Sequence, residues 1–88
     1  MKTKKGYVLR TLGKEYILAA EGLETKADRL ISMNESAAFL WNAVDGKDFD
    51  TDTLINLLVE EYGITREVAQ KDVAALLEIW KKAEIVDY

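Results

Sequence analysis

The chain has 88 residues, 49% of them apolar, and it contains no cysteine, histidine or proline. The missing cysteine and histidine exclude disulfides, thiolate or imidazole metal ligands, and histidine-based catalysis. A formal net charge of −4 opposes binding to nucleic-acid phosphates, and no apolar run has the length of a membrane span. We therefore expect residues 1–88 to form a single cytoplasmic domain that is not an enzyme and holds no metal or cofactor.

Two strand-like segments near the start, YVLRTL and EYILAA, are separated by Gly13 and one lysine. Glycine in the first position of a two-residue loop is typical of a type II′ β-hairpin. This turn places Leu9 opposite Leu18 and Thr11 opposite Tyr16. The basic segment MKTKK, which precedes the hairpin, is expected to be frayed.

The stretch RLISMNESAAFLW passes from a strand pattern into a helical pattern without a loop. Residues 30–33 form the predicted third strand, Asn34 stands at the N-cap position, and Glu35 follows as a first-turn carboxylate. The helix then shows one apolar stripe, formed by Ala37, Leu40, Trp41 and Val44. A strand that runs straight into a packed helix is held rigidly, so it can offer its free edge to a partner.

Two further helices follow, joined by a tight turn. Asp50 or Thr51 caps the second helix, Gly63 ends it in a left-handed conformation, and Thr65 begins the third. The apolar stripe of the second helix consists of Leu54, Leu57, Leu58 and Tyr62. The predicted fold is therefore α+β: an N-terminal three-stranded antiparallel sheet followed by three helices, in a winged helix-turn-helix-like arrangement. The final segment IVDY either packs back on the sheet or frays.

The third helix, predicted from Arg66 to about Lys82, carries two rows of apolar residues. The first row has the spacing of a core face and consists of Ala69, Val73, Leu76, Leu77 and Trp80. The second row is half apolar and consists of Val68, Asp72, Ala75, Ile79 and Lys82. One interpretation makes the second row the wide edge of the core, since apolar stripes more often pack inside a protein than bind a ligand. The other makes it the wall of a groove, in which an extended peptide also pairs with the edge strand.

The helix-turn-helix also suggests DNA recognition. Arg66 and Lys71, however, alternate with Glu67 and Asp72 where base-contacting residues are expected, and acidic neighbours oppose phosphate binding. The other acidic clusters lack the spacing of a calcium-binding loop, so we interpret them as a solvated surface. A DNA-binding regulator and a structural subunit of an enzyme complex remain the alternatives to peptide binding.

Three segments resemble the PqqD family, small proteins related to coenzyme PQQ synthesis protein D: GYVLRTLGKEYILAA, LISMNESAAFLW and EEYGITREVAQKDVAALLEIWKKAEIV. The most specific parts are the strand that runs into the asparagine cap and the D-V-x-x-x-L pattern at Asp72, Val73 and Leu77. The resemblance covers nearly the whole chain, in order.

This resemblance implies a RiPP recognition element, a winged-helix domain without catalysis that binds the leader of a ribosomally synthesised precursor peptide. Such a domain presents the peptide to a modifying enzyme, commonly a radical S-adenosylmethionine (radical SAM) protein. In the family, the leader adds to the third strand and lies beside the third helix. The implied peptide-binding residues are Arg29, Leu30, Ile31, Ser32 and Met33 on the strand, and Val68, Lys71, Asp72, Ala75 and Ile79 on the helix. We expect a free-standing adaptor, monomeric or homodimeric, with no nucleic-acid or membrane partner, in the biosynthesis of a cofactor or another peptide-derived product.

Overall fold

The computed structural model of the protein describes residues 1–20 and 31–87. In chain order its elements are β1 (Lys2–Thr3), β2 (Tyr7–Leu12), β3 (Glu15–Ala20), β4 (Ile31–Met33), α1 (Glu35–Val44), α2 (Thr51–Tyr62), α3 (Arg66–Lys82) and β5 (Val86–Asp87). The predicted three-stranded antiparallel sheet followed by three helices is confirmed, and the fold is α+β. The winged-helix description stays an interpretation of that order.

Strands β2, β3 and β4 form one antiparallel sheet in that order, which places β4 at an edge. The hairpin register is as predicted, with Leu9 opposite Leu18 and Thr11 opposite Tyr16. Gly13 has a φ of 63°, which fits the first residue of a type II′ turn. Within the described part of the chain, one side of β4 therefore lacks a partner strand.

Each helix begins at a residue that the sequence marks as a cap. The side-chain oxygens of Asn34, Asp50 and Thr65 each accept a hydrogen bond from the backbone N–H three residues later, at 2.8, 2.8 and 3.2 Å. These bonds satisfy N–H groups that the first turn of a helix leaves without partners. Asp50, rather than Thr51, is therefore the cap of α2. Gly63 ends α2 with a φ of 64°, the left-handed conformation that the sequence predicts.

The core lies between the three helices and one face of the sheet. Trp41 of α1 and Trp80 of α3 pack edge to face with ring centroids 5.4 Å apart, and each is 1% exposed. The predicted stripe of α1 is buried throughout. The predicted stripe of α2 is wrong in part, because Ile55 is buried whereas Tyr62 is exposed. Tyr62 lies in the last turn of α2, where it packs edge to face on Phe39 at the surface.

The two ends of the described chain pair with each other. Strands β1 and β5 form a two-stranded antiparallel sheet, and Lys2 also forms a bridge with Asp48 in the loop before α2. The buried hydroxyl of Thr3 donates to Asp45 (3.1 Å) and accepts from the Gly46 N–H (3.0 Å). The expectation of a frayed start is therefore wrong, because backbone pairing and satisfied side-chain bonds fix this segment. The final segment packs against β1 instead of the three-stranded sheet.

Candidate functional site

Helix α3 presents two rows of side chains in opposite environments. Four residues of the core row are buried, with Ala69 and Val73 0% exposed, Trp80 1% exposed and Leu77 6% exposed, whereas Leu76 is half-buried. In the second row, Val68 and Ile79 are 47% and 56% exposed, and the intervening Asp72 and Ala75 are also exposed. The second row is therefore a surface, and its interpretation as the wide edge of the core is wrong.

A cleft of about 270 Å³ opens between this second row and the start of α1. Each helix contributes one leucine to the cleft, and these are Leu40, Leu58 and Leu76. Leu40 and Leu58 belong to the buried core and Leu76 is half-buried, so together they form an apolar floor. Helix α3 also contributes Asp72, Ala75 and Ile79 to the lining. The start of α1 contributes Ser36, and Asn34 comes from the position just before this helix. The cleft therefore combines an apolar interior with a polar rim.

The polar groups of the rim differ in how well they are satisfied. The Asn34 Oδ1 atom accepts from the Ser36 hydroxyl (3.0 Å) and from the backbone N–H of Ala37 (2.8 Å). The carboxylate of Asp72 makes neither a hydrogen bond nor an ion pair with any described residue. Asp72 is therefore the charged acceptor of the described rim, and both of its carboxylate oxygens have capacity left for a ligand.

The same side of the molecule carries other acidic groups. Desolvation raises the pKa of Tyr62 above its usual value, and the nearby carboxylates of Glu35 and Glu61 raise the pKa further. Glu35 is the first residue of α1 and follows the Asn34 cap directly. Glu35 therefore adds a negative charge at the start of α1, which borders the cleft.

The structure brings only part of the predicted helix site together. Asp72, Ala75 and Ile79 line one cleft. Val68 lies in the same row, one turn before Asp72, but it does not line the cleft. Lys71 is exposed and also lies outside the lining. The cleft is thus centred on the middle of the predicted row.

The predicted strand site leads directly to this cleft. Met33 is buried, Ile31 is half-buried and Ser32 is exposed, as the alternation of an edge strand requires. Asn34 follows β4 directly and lines the cleft, so the edge strand ends at the cleft. Two predicted site residues, Arg29 and Leu30, lie outside the described residues.

Sequence reasoning missed five residues of the lining. It assigned Leu40, Leu58 and Leu76 to core stripes and Asn34 to a helix cap, and it placed Ser36 in no site. Leu40 and Leu58 are buried and Asn34 caps α1, as predicted, whereas Leu76 is half-buried. All five residues also line the cleft. No linear pattern identifies them, because the lining is assembled from three helices.

In the two described ranges, no helix combines the length and the apolar character needed to cross a membrane. The same ranges contain no group of three or more acidic side chains arranged to hold a metal ion.

Comparison with protein families identifies the relationship. The model of the family described as coenzyme PQQ synthesis protein D (PqqD) matches residues 11–86. The chain belongs to the PqqD family. The resemblance carried by the hairpin, the strand-to-cap segment and the third helix is thereby confirmed. Both β4 and the cleft of this PqqD-family chain lie within the matched residues.

A solved structure of similar fold is that of TbiB1 in complex with the TbiA(beta) leader peptide. The match has a TM-score of 0.74 and covers 99% of this chain and 95% of that chain, at 16% sequence identity. At this identity the likeness establishes that the two chains share a fold. No curated protein sequence matches the PqqD-family chain.

Proposed function

We propose that this chain is an adaptor that binds the leader region of a ribosomally synthesised precursor peptide. The observation that carries the proposal is the continuity between the edge strand β4 and the cleft, which Asn34 joins. A peptide that adds to β4 as a further strand gains main-chain hydrogen bonds, and its side chains enter the neighbouring cleft. The fold match to TbiB1, a protein solved with a leader peptide, supports the same function.

The size of the cleft favours peptide side chains over a small-molecule ligand. Pockets that enclose drug-sized ligands have volumes of roughly 300–1,000 Å³, whereas this cleft has a volume of about 270 Å³ and is open at one side. One or two apolar side chains can cover the three leucines of its floor. Burial of one such side chain contributes roughly 1.5–3 kcal/mol. Main-chain pairing with β4 then provides affinity, and the cleft provides selectivity.

We further propose that the chain itself is not catalytic. Among the described residues that line the cleft, Ser36 is the hydroxyl-bearing candidate nucleophile, and its hydroxyl is bonded to the amide oxygen of Asn34. An amide does not activate a hydroxyl as a general base does. The role that fits this site is presentation of the bound peptide to a separate modifying enzyme, for which a radical SAM protein is our proposal. The proposed setting is a cytoplasmic single domain of residues 1–88.

Duplex DNA fits the exposed face of α3 less well than a peptide does. Arg66, which is the best-placed arginine for a phosphate, donates hydrogen bonds to Asn56 (2.6 Å) and Asp52 (3.2 Å) of α2. The exposed row contributes the carboxylate of Asp72 to the same surface, and that charge repels phosphate. Neither the apolar floor of the cleft nor the carboxylate on its polar rim is a feature of a DNA-binding surface.

The test is a titration of isotope-labelled protein with the leader of the precursor peptide encoded beside its gene, followed by backbone amide shifts in NMR. We expect shifts confined to β4 and to the 72–79 part of α3. Within β4 the shifts should alternate, because successive backbone N–H groups of a strand face opposite sides. A scrambled leader is the control. Shifts that occur only with the neighbouring enzyme or with duplex DNA would support one of the two alternatives instead.

A pair of matched variants tests whether the cleft takes part. Ala75→Glu places a charge in the cleft, and we expect leader affinity to fall roughly 10- to 100-fold, as for the loss of one buried apolar contact. Ala74→Glu makes the same change one residue earlier, at an exposed position outside the lining. Both variants should fold, since both alanines are exposed. Equal leader affinities for the two variants would remove α3 from the site.

A further inference from the structure

The carboxylate of Asp72 is placed at the cleft without a partner. It lines the cleft, is exposed, and makes no ion pair or hydrogen bond within the described residues. Among the described residues, none of those that line the cleft is a lysine or an arginine. A ligand in the cleft therefore meets a negative charge that the described lining does not neutralise.

Two basic residues of α3 are related to Asp72 by position: Lys71 is its neighbour in the sequence, and Lys82 lies in the same row. Lys71 lies about 100° around the helix from Asp72 and is outside the lining. Lys82 belongs to the same row, but ten residues of helix separate the two backbones by about 15 Å. That distance exceeds the screening length of about 8 Å at physiological salt. Among the described residues that line the cleft, Asp72 is therefore the charged one.

The positive end of the α1 dipole also borders the cleft, but it is already complemented. Asn34 accepts a hydrogen bond from the Ala37 N–H, and Glu35 supplies a carboxylate in the first turn. A capping side chain satisfies one of the free N–H groups of a helix N-terminus, and a first-turn carboxylate complements its dipole. The cleft consequently offers little to an anionic side chain, whereas the free carboxylate of Asp72 is a ready partner for a cation.

We propose, resting on the peptide-binding function above, that the cleft selects peptides that carry a lysine or arginine two residues from an apolar side chain. Asp72 binds the cation, and the leucine floor takes the apolar group. The spacing follows from the geometry: Asp72 lies four residues, about 6 Å along the helix axis, from Leu76. Side chains two residues apart on an extended peptide face the same side and are about 6.6 Å apart.

The experiment is an mRNA-display selection. A library of random peptides of about a dozen residues is selected at low salt for binding to the 88-residue protein. Wild type, Asp72→Asn and Glu78→Gln are used in parallel. Glu78 is the matched control, because it is an exposed carboxylate on the same helix outside the cleft lining. Circular dichroism of each variant checks that the helices are retained.

We expect wild type and Glu78→Gln to enrich a basic residue two positions from an apolar one, and Asp72→Asn to lose only the basic preference. For one enriched peptide, Asp72→Asn should lower affinity about two- to fivefold at low salt, the range of an exposed ion pair. Replacing the peptide's lysine by norleucine should abolish the difference between wild type and variant.

The other outcomes separate this inference from the proposed function. Enrichment of apolar, extended peptides without a basic preference would overturn the role of Asp72 and leave peptide binding intact. A basic preference that persists in Asp72→Asn would also overturn it, because another group would then bind the cation. No enrichment of any peptide would overturn the proposed function and this inference together.

Discussion

Val73 and Val68 are the same residue type on the same helix, yet Val73 is completely buried and Val68 is 47% exposed. The difference follows from the helical period, since positions five residues apart differ by about 140° around the axis. The row of Val73 contains the tryptophan that packs on α1, whereas the row of Val68 continues to the cleft. A half-exposed side chain gains less free energy from folding than a fully buried one, because less of its apolar area is removed from water. One face of α3 thus stabilises the fold, and another face is left exposed to contact a ligand.

The largest expected effect comes from a pair of adjacent residues, one from each row. Trp80→Ala removes the ring that packs 5.4 Å from Trp41, and we expect the free energy of unfolding to fall by about 3–5 kcal/mol. Ile79→Ala changes a side chain that is 56% exposed, so its effect should stay within about 0.5 kcal/mol. Urea denaturation measures both. Comparable losses for the two variants would mean that the exposed row also supports the fold.

A smaller effect is expected from the cap that fixes the start of both rows. Thr65→Ala removes the hydrogen bond to the Val68 N–H (3.2 Å), and we expect a loss of about 1 kcal/mol in unfolding free energy. Thr65→Ser keeps a hydroxyl and should preserve most of that stability. Amide exchange should accelerate at Val68 in the alanine variant alone. An unchanged exchange rate at this amide would show that the cap bond contributes nothing in solution.

Signals that act within a few residues allowed prediction of most elements. Asn34 and Thr65 each bond to a backbone N–H three residues away, and Gly13 determines its own turn, so their effects are visible in a short window of sequence. The exposed row of α3 is likewise visible in the sequence as a second apolar period. The sequence does not show that this row is exposed. The sequence pattern located this row, but only packing showed which row faces the core.

Features that depend on distant segments were not predictable. Strands β1 and β5 have two residues each and lie at opposite ends of the described chain, so neither carries a periodic pattern. The buried bonds of Thr3 join it to Asp45 and Gly46, far away in sequence. The cleft floor has the same origin, because Leu40, Leu58 and Leu76 read as core in their own helices. Tertiary arrangement, rather than local propensity, produces both the second sheet and the cleft.

The smallest expected effect concerns a side of α3 that belongs to neither row. Arg66 pairs with Asp52 at 3.2 Å, but their side chains are 51% and 73% exposed, so water and salt screen the interaction. A double-mutant cycle with Arg66→Gln and Asp52→Asn should give a coupling free energy of at most about 0.5 kcal/mol in urea unfolding. Leader affinity should be the same in all four proteins, since neither residue lines the cleft. A loss of leader affinity in Arg66→Gln would place part of the peptide on the α2 side of α3, and would end the division of this helix into a core row and a single binding row.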